Sequence, residues 1–106
     1  MYDEEFLICG YIPRDNNFGI KSIILGKYHN NEVVYQGQVS LGIPKVEEEL
    51  IIKYVEENPS SCPFLQNFKE KNVLWCRLGL ICTVKYMMKT EKNLLRQPIY
   101  KGLRFY

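Results

Sequence analysis

Long apolar runs, a basic leader and closely spaced cysteines are all missing from this sequence, and each absence excludes a class of protein. No stretch approaches the ~18 consecutive apolar residues that a membrane-spanning helix needs. The start, MYDEEF, is acidic where a secretory leader is basic and then apolar, so the cytoplasm is the expected location. Four cysteines (Cys9, Cys62, Cys76, Cys82) have neither CxxC spacing nor the density of a disulfide scaffold, and His29 is the one histidine that could join them around a metal. Buried thiols are expected, and no metal site.

Catalytic signatures are equally scarce. The seven glycines form neither GxGxxG nor GxxxxGK[ST], which argues against a self-sufficient nucleotide enzyme. His29 falls in a predicted turn with no cysteine or serine partner near it in sequence. Paired carboxylates occur only in the acidic start and on a predicted helix face, where solvent is expected to hold them. No catalytic residue is therefore expected, and the chain alone reads as a binding module. With 46% hydrophobic residues and no internal repeat or low-complexity tract, the 106 residues can bury a core. A single domain spanning 1–106 is expected, as a monomer.

What is present is an uneven distribution of charge. The net charge is only +2, yet residues 1–68 hold five Lys and Arg against ten Asp and Glu, while residues 69–106 hold nine against two. The last third is thus the expected anion-binding side, because like charges that converge need a polyanion such as nucleic acid to offset their repulsion. It closes on LLRQPIYKGLRFY, where Arg96, Lys101 and Arg104 alternate with apolar and aromatic residues.

Periodicity divides the chain. Phe6 to Ile12 is a near-continuous apolar run closed by Pro13, which suits a buried strand. After the loop PRDNNFG, Ile20 to Tyr28 predicts a second strand, and His29-Asn30-Asn31 a tight turn. Glu32 to Leu41 predicts the partner strand, with Val33, Tyr35, Gly37 and Val39 on one face, Gln36 and Gln38 on the other, and a bulge or sharp bend at Gly37. From Lys45 to Glu57 the apolar positions Val46, Leu50, Ile51, Tyr54 and Val55 have helical spacing, and the intervening glutamates predict a solvated face. Beyond PSSCPFLQNFKEKN, a fourth strand starts at Val73-Leu74-Trp75 and resumes from Leu80 to Met87; a turn around Glu91-Lys92-Asn93 leads to the last. Three strands, a helix and two strands are the plan of an all-β OB-fold, a five-stranded Greek-key barrel with its helix between strands 3 and 4. SH3-like barrels and small α+β sheets share enough of that order to compete.

A binding module of this kind has candidate contacts. Arg14 lies in the first loop, Lys21 and Lys27 bracket the second strand, and Lys85 and Lys89 are predicted on the fourth. Such cations neutralise phosphates without reading sequence, and the binding weakens as salt rises. Tyr11, Phe18, Tyr28, Tyr35, Trp75, Tyr86 and Tyr100 could stack bases on an open barrel face, although packing is the expected role of most, Trp75 above all.

The segments EEFLICGYIP, IILGKY, VYQGQVSLG, CPF, LWCRLGLICTVKY and LLRQPIYKGLR, in that order, make the chain resemble the C-terminal OB domain of ATP-dependent DNA ligases, most closely the bacterial end-joining type. The last resembles the family's closing Leu-Arg-x-Pro-x-Phe-Lys-Gly-Leu-Arg motif. The resemblance implies a nucleotidyltransferase domain in cis or trans, which carries the adenylylated lysine of a Lys-x-Asp-Gly motif; no such motif occurs here. It also implies a domain that closes over ATP, with Mg in the complete ligase, and then swings round so that its other face lies on the minor groove of nicked duplex DNA. By position Arg104 and Lys101 match the cations that meet the nucleotide phosphates, a role suited to the planar fork of arginine. Gly102 would let the backbone approach those phosphates. Arg14, Lys21, Lys27, Lys85, Lys89 and Arg96 are the expected DNA contacts.

Some positions depart from the family pattern. Past the arginine the family has an Asp-Lys pair where this sequence has Phe105 and Tyr106, so the second phosphate-binding cation has no counterpart there. Thr83 and Lys85 stand where the fourth strand usually carries acids, and Leu78 and Gly79 replace a proline and an acid, which makes the strand more basic. The expectation is an OB domain that binds nicked duplex and assists strand joining in DNA repair and recombination. A free-standing OB protein that binds single-stranded DNA or RNA, or a protein-interaction barrel, remains open on the residues alone.

Overall fold

The computed structural model describes residues 1–16, 18–65, 68–91 and 94–105. Its elements are β1 (Tyr2–Pro13), β2 (Ile20–His29), β3 (Glu32–Val39), α1 (Lys45–Glu57), β4 (Leu74–Trp75), β5 (Leu80–Tyr86), β6 (Met88–Lys89), β7 (Leu95–Arg96) and β8 (Ile99–Phe105). The main sheet runs β3-β2-β1-β5-β8, with β4 beside β1. Those pairings are antiparallel, whereas the bridge between Leu41 and Ile99 is parallel, and the Tyr100 N–H donates to the Leu41 carbonyl at 2.8 Å. That contact joins the end of β3 to the start of β8 and closes the sheet. The result is the OB-type barrel with one helix that the element order predicts.

Two segments differ from the sequence reading. The fourth strand is split into β4 and β5, because the chain between them tucks under α1: Tyr54 Oη donates to the Arg77 carbonyl at 3.1 Å and lies where a Gly79 side chain would be. After Tyr86 the chain leaves the main sheet, and β6 and β7 form a hairpin of their own, sealed by Met87 N–H to Arg96 O at 3.1 Å and Thr90 N–H to Leu94 O at 2.8 Å. Lys89 therefore lies on that hairpin and not on the fourth strand. Lys92 and Asn93 of the predicted turn lie outside the described residues.

Burial explains the sequence patterns. β1 and β2 are covered on both faces, so FLICGY and SIIL read as continuous apolar runs. Their inner face joins Phe6, Ile8, Ile23 and Leu25 to Cys82, Val84 and Tyr100 in the barrel interior, which Ile51 and Val55 of α1 cap. Their outer face, with Leu7, Cys9 and Ile24, is covered by the segment between α1 and β4, whose Phe64 and Phe68 pack edge-on against Tyr35 and Trp75. Each large aliphatic side chain so buried contributes roughly 1.5–3 kcal/mol. β5 alternates buried and half-buried residues along its whole length, the signature of a sheet with one face in the core and the other only partly covered, by the contact of Ile81 with the outer cluster.

A bulge reorients β3. Leu25 pairs with Gly37 and Gly26 with Tyr35, so Gln36 is the extra residue, and Gly37 takes φ +120°, a conformation that costs other residues dearly. Val33 and Tyr35 consequently pack on the outer cluster and Val39 on the inner one, in place of the single face predicted, and Gln36 is buried. Gly10 answers a different need: any side chain there would collide with the Leu74 carbonyl as β4 closes on β1.

The helix has the predicted bounds but a rotated face. Ile51 and Val55 are buried, whereas Val46 is 70% exposed and Leu50 43% exposed. Glu47, four residues before Ile51 and eight before Val55, shares the inward stripe. The Glu48 carboxylate accepts the Ile20 N–H at 3.0 Å. The glutamates of the first turn are thus partly structural, at the helix end where the macrodipole favours an anion, while Glu49, Glu56 and Glu57 are exposed as predicted.

Two outcomes follow from this packing. Gly37→Ala is expected to destabilise the fold by about 1–3 kcal/mol in urea titration, since alanine cannot adopt the φ without strain. Burial pushes the Cys76 and Cys82 thiols up to about 12 and the Cys9 thiol higher still, with the neighbouring cysteines adding to the rise at Cys9. These three stay protonated at pH 8. A thiol reagent added to the folded chain is expected to modify the half-buried Cys62 first, and the others only on unfolding, as peptide mapping will show.

Candidate anion-binding face

The uncovered side of the barrel is built by β1, β5 and β8. Thr83 of β5 stands between Glu5 of β1 and Gly102 of β8, and Ile81 stands between Leu7 and Arg104. Thr83 pairs with Gly102 and Val84 with Tyr100, so Lys101 is the extra residue of a bulge in β8. The bulge lets Tyr100 and Leu103 both turn to the interior while Lys101 is exposed. Gly102 has no atom within 4 Å of the place a side chain would take, so packing does not require a glycine there. Arg104 reaches across β5, its Nε 3.1 Å from Glu5 Oε2, with the two side chains 67% and 56% exposed. Lys85, opposite Asp3 in register, completes the cations of this face.

A second group gathers beside the β6–β7 hairpin, whose Leu95 packs on the barrel interior. Glu4 of β1 pairs with Lys27 of β2 and, at 3.7 Å, with Lys89 of β6, and accepts a 2.5 Å hydrogen bond from Tyr86 Oη. Lys27 Nζ sits over the Phe6 ring at 5.4 Å and Lys89 Nζ over the Tyr86 ring at 5.9 Å. Burial, and then the charge of Lys89, hold the Lys27 ammonium below its usual pKa. Two cations thus share one carboxylate beside a cavity of about 340 Å³ that His29 and Gln36 also line. Arg96 lies on β7, paired with Met88 next to Lys89, and is exposed.

Arg14 and Lys21 form a third group. Arg14 Nε donates to the Ile20 carbonyl at 3.3 Å, and its guanidinium lies 3.9 Å from Glu48. Both cations line a groove of about 870 Å³ together with Lys71, but Asp15, Glu56 and Glu70 line it as well. The sequence-predicted cations therefore form three separate groups. Of the aromatics proposed for stacking, Tyr11, Tyr86 and Tyr100 are buried, Tyr35 and Trp75 belong to the outer cluster, and Phe18 and Tyr28 are exposed.

The residues that sequence reasoning missed are acids. Glu4 and Glu47 were expected to be solvated, yet Glu4 holds two lysines and Glu47 accepts hydrogen bonds from Tyr100 Oη at 2.8 Å and Leu103 N–H at 2.7 Å. A usable signal existed for Glu47, whose spacing puts it on the buried stripe of α1. Among the described residues no group of three or more His, Cys, Asp or Glu could hold a metal ion, and no helix is long and apolar enough to cross a membrane.

Comparison with known proteins bears on the family and the fold. Over 111 aligned residues the chain is 31% identical to the multifunctional non-homologous end joining protein LigD of Pseudomonas aeruginosa, covering 95% of this chain and 13% of that protein. Its fold superposes on the ligase domain of M. tuberculosis LigD with a TM-score of 0.89 at 21% identity, over 97% of this chain and 35% of that one. A mycobacterial DNA ligase D complexed with ATP and MES gives a TM-score of 0.81 at 20% identity, over 97% of this chain and 34% of that one. The chain thus spans about a third or less of each of these relatives. Residues 16–105 match the family described as ATP dependent DNA ligase C terminal region, and the chain belongs to that family.

Proposed function

We propose that this chain, as one OB domain over residues 1–106, grips nicked duplex DNA by its phosphates and assists a nucleotidyltransferase domain in ATP-dependent strand joining for repair and recombination. It acts as a monomeric unit in the cytoplasm. The observation that carries this reading is the outward face of β5 and β8: Lys101 projects from a bulge, the backbone at Gly102 is open, and Arg104 is held, among the described residues, by one exposed pair. A surface ion pair is worth about 0–1 kcal/mol, so a phosphate can take Arg104 from Glu5 at small cost. The same three features fit the phosphates of ATP. Lys101 and Arg104 would hold them, supplying positive charge to a pyrophosphate as it leaves, with Mg bound elsewhere in the complete ligase.

On DNA, Lys85, Lys27, Lys89 and Arg96 extend the contacts around the β5 end of the barrel, and Arg14 and Lys21 meet the backbone at the far end. Acids beside each group keep the local charge modest, which suits a domain that must release one anion and take another. Base stacking on a single strand has less support, because Phe18 and Tyr28 alone among the seven candidate aromatics are exposed.

Fluorescence anisotropy with nicked duplex and with single strand of equal length, over a salt series, tests this reading. Nicked duplex is expected to bind roughly tenfold or more tightly, with affinity falling steeply as salt rises. A preference for the single strand, or binding indifferent to salt, contradicts it. Arg104→Ala and Lys101→Ala are each expected to weaken binding and to reduce the salt slope by about one unit. Gly102→Ala is expected to leave urea stability within about 0.5 kcal/mol of the parent while weakening the phosphate contact, since it touches nothing in the fold.

A further inference from the structure

Glu47 occupies a position that neither the electrostatics of the face nor the hydrophobic core explains. One oxygen of its carboxylate, Oε1, accepts both the Tyr100 hydroxyl at 2.8 Å and the Leu103 N–H at 2.7 Å. Those donors bracket Lys101 and Gly102, where β8 departs from register with β5. On its other edge β8 has little support: Tyr100 N–H reaches the Leu41 carbonyl, and the next bond from that edge, Leu103 N–H, goes to the helix. Burial, followed by the hydrogen bond to Glu47 and its charge, drives the Tyr100 phenol far above its usual pKa, so it remains a donor throughout the working range.

A bulge ordinarily gives local freedom, because the extra residue is unpaired. Here both flanks are tied to one atom on a helix whose Ile51 and Val55 are fixed in the core. The clamp works from inside the barrel and leaves Lys101 and the Gly102 backbone facing out.

We propose that Glu47 is a positioning residue for the anion site, holding the Lys101–Gly102 bulge in the shape that presents Lys101 and Arg104 to phosphate groups. The proposal rests on the phosphate-binding reading of this face given above. Glu47 itself touches no ligand, since it lies on the inner side of β8.

The test uses the full chain with inorganic pyrophosphate and with nicked duplex, comparing Glu47→Ala, Glu47→Gln and Lys101→Ala. Glu47→Gln keeps the acceptor oxygen, so near-parent affinity is expected; Glu47→Ala, at temperatures where it is folded, is expected to lose roughly tenfold, on the scale of a lost charge-assisted hydrogen bond. Combined with Lys101→Ala, Glu47→Ala is expected to add little further loss, because it acts through the bulge. The Leu103 amide should exchange faster in Glu47→Ala and remain protected in Glu47→Gln. Where Glu47→Ala does not fold, Tyr100→Phe removes one of the two donors, and a several-fold weakening is expected. Folded Glu47→Ala binding as well as the parent, Tyr100→Phe binding unchanged, or losses that simply add to those of Lys101→Ala overturn the proposal. Failure of the parent chain to bind either probe overturns the functional reading and the proposal together, an outcome distinct from any of these.

Discussion

The structure hangs on how a sheet with a weak seam is closed. Among the described residues, β3 and β8 share one backbone hydrogen bond, Tyr100 to Leu41, and the barrel would lie open beyond it without the Glu47 carboxylate. An unsatisfied buried donor costs about 1–3 kcal/mol, and Glu47 satisfies two at once. The helix therefore does more than cap the hydrophobic interior. It supplies the polar group that finishes the edge of the last strand, and α1 can reach that edge because Ile51 and Val55 seat it in the core.

Closure of this kind makes the barrel asymmetric. β1 and β2 are buried on both faces, with the Tyr35, Phe64, Phe68 and Trp75 cluster sealing the outer one, so nothing can bind there without displacing a second core. β5 and β8 have only one face in the interior, and beyond Ile81, which packs on the outer cluster, the other is only partly covered. Two cations of that face, Lys101 and Arg104, lie on the strand that the seam holds least, which is why the shape of β8 matters to what they can do. Acids stand beside four of the eight candidate cations: Glu5 at Arg104, Glu4 at Lys27 and Lys89, and Glu48 at Arg14. Two cations of the last third of the sequence, Lys89 and Arg104, are thereby met in space by the acidic first segment.

Much of this was legible in the residues and some was not, for physical reasons. Helical spacing bounds α1 at Lys45 and Glu57, and the continuous runs around Ile8 and Ile24 announce strands covered on both sides. The order of elements and the segments from EEFLICGYIP to LLRQPIYKGLR lead to the OB-type barrel and to the ligase family. Gly37 marked the bulge of β3, but its effect of turning Val39 to the opposite face from Tyr35 was not legible, nor was the bulge at Lys101, because register belongs to two strands together and each strand alone still alternates. The separation of Lys89 from β5 depends on a hairpin closed by Arg96, seven residues further on, and the engagement of Glu4 and Glu47 depends on Lys27, Tyr86, Tyr100 and Leu103, all distant in sequence. A glutamate in a charged run looks solvated until its partners are known.

The central claim is that the outward face of β5 and β8, with the adjoining β6–β7 hairpin, is where this domain meets phosphate. Amide chemical-shift mapping during titration with nicked duplex DNA at low salt addresses it most directly. The expected result is a contiguous set of shifts at Thr83, Lys85, Lys89, Lys101, Gly102 and Arg104, reversed by added salt. Shifts confined to the outer cluster around Phe64 and Trp75, or to the groove at Arg14 and Lys21 with β8 silent, would contradict it.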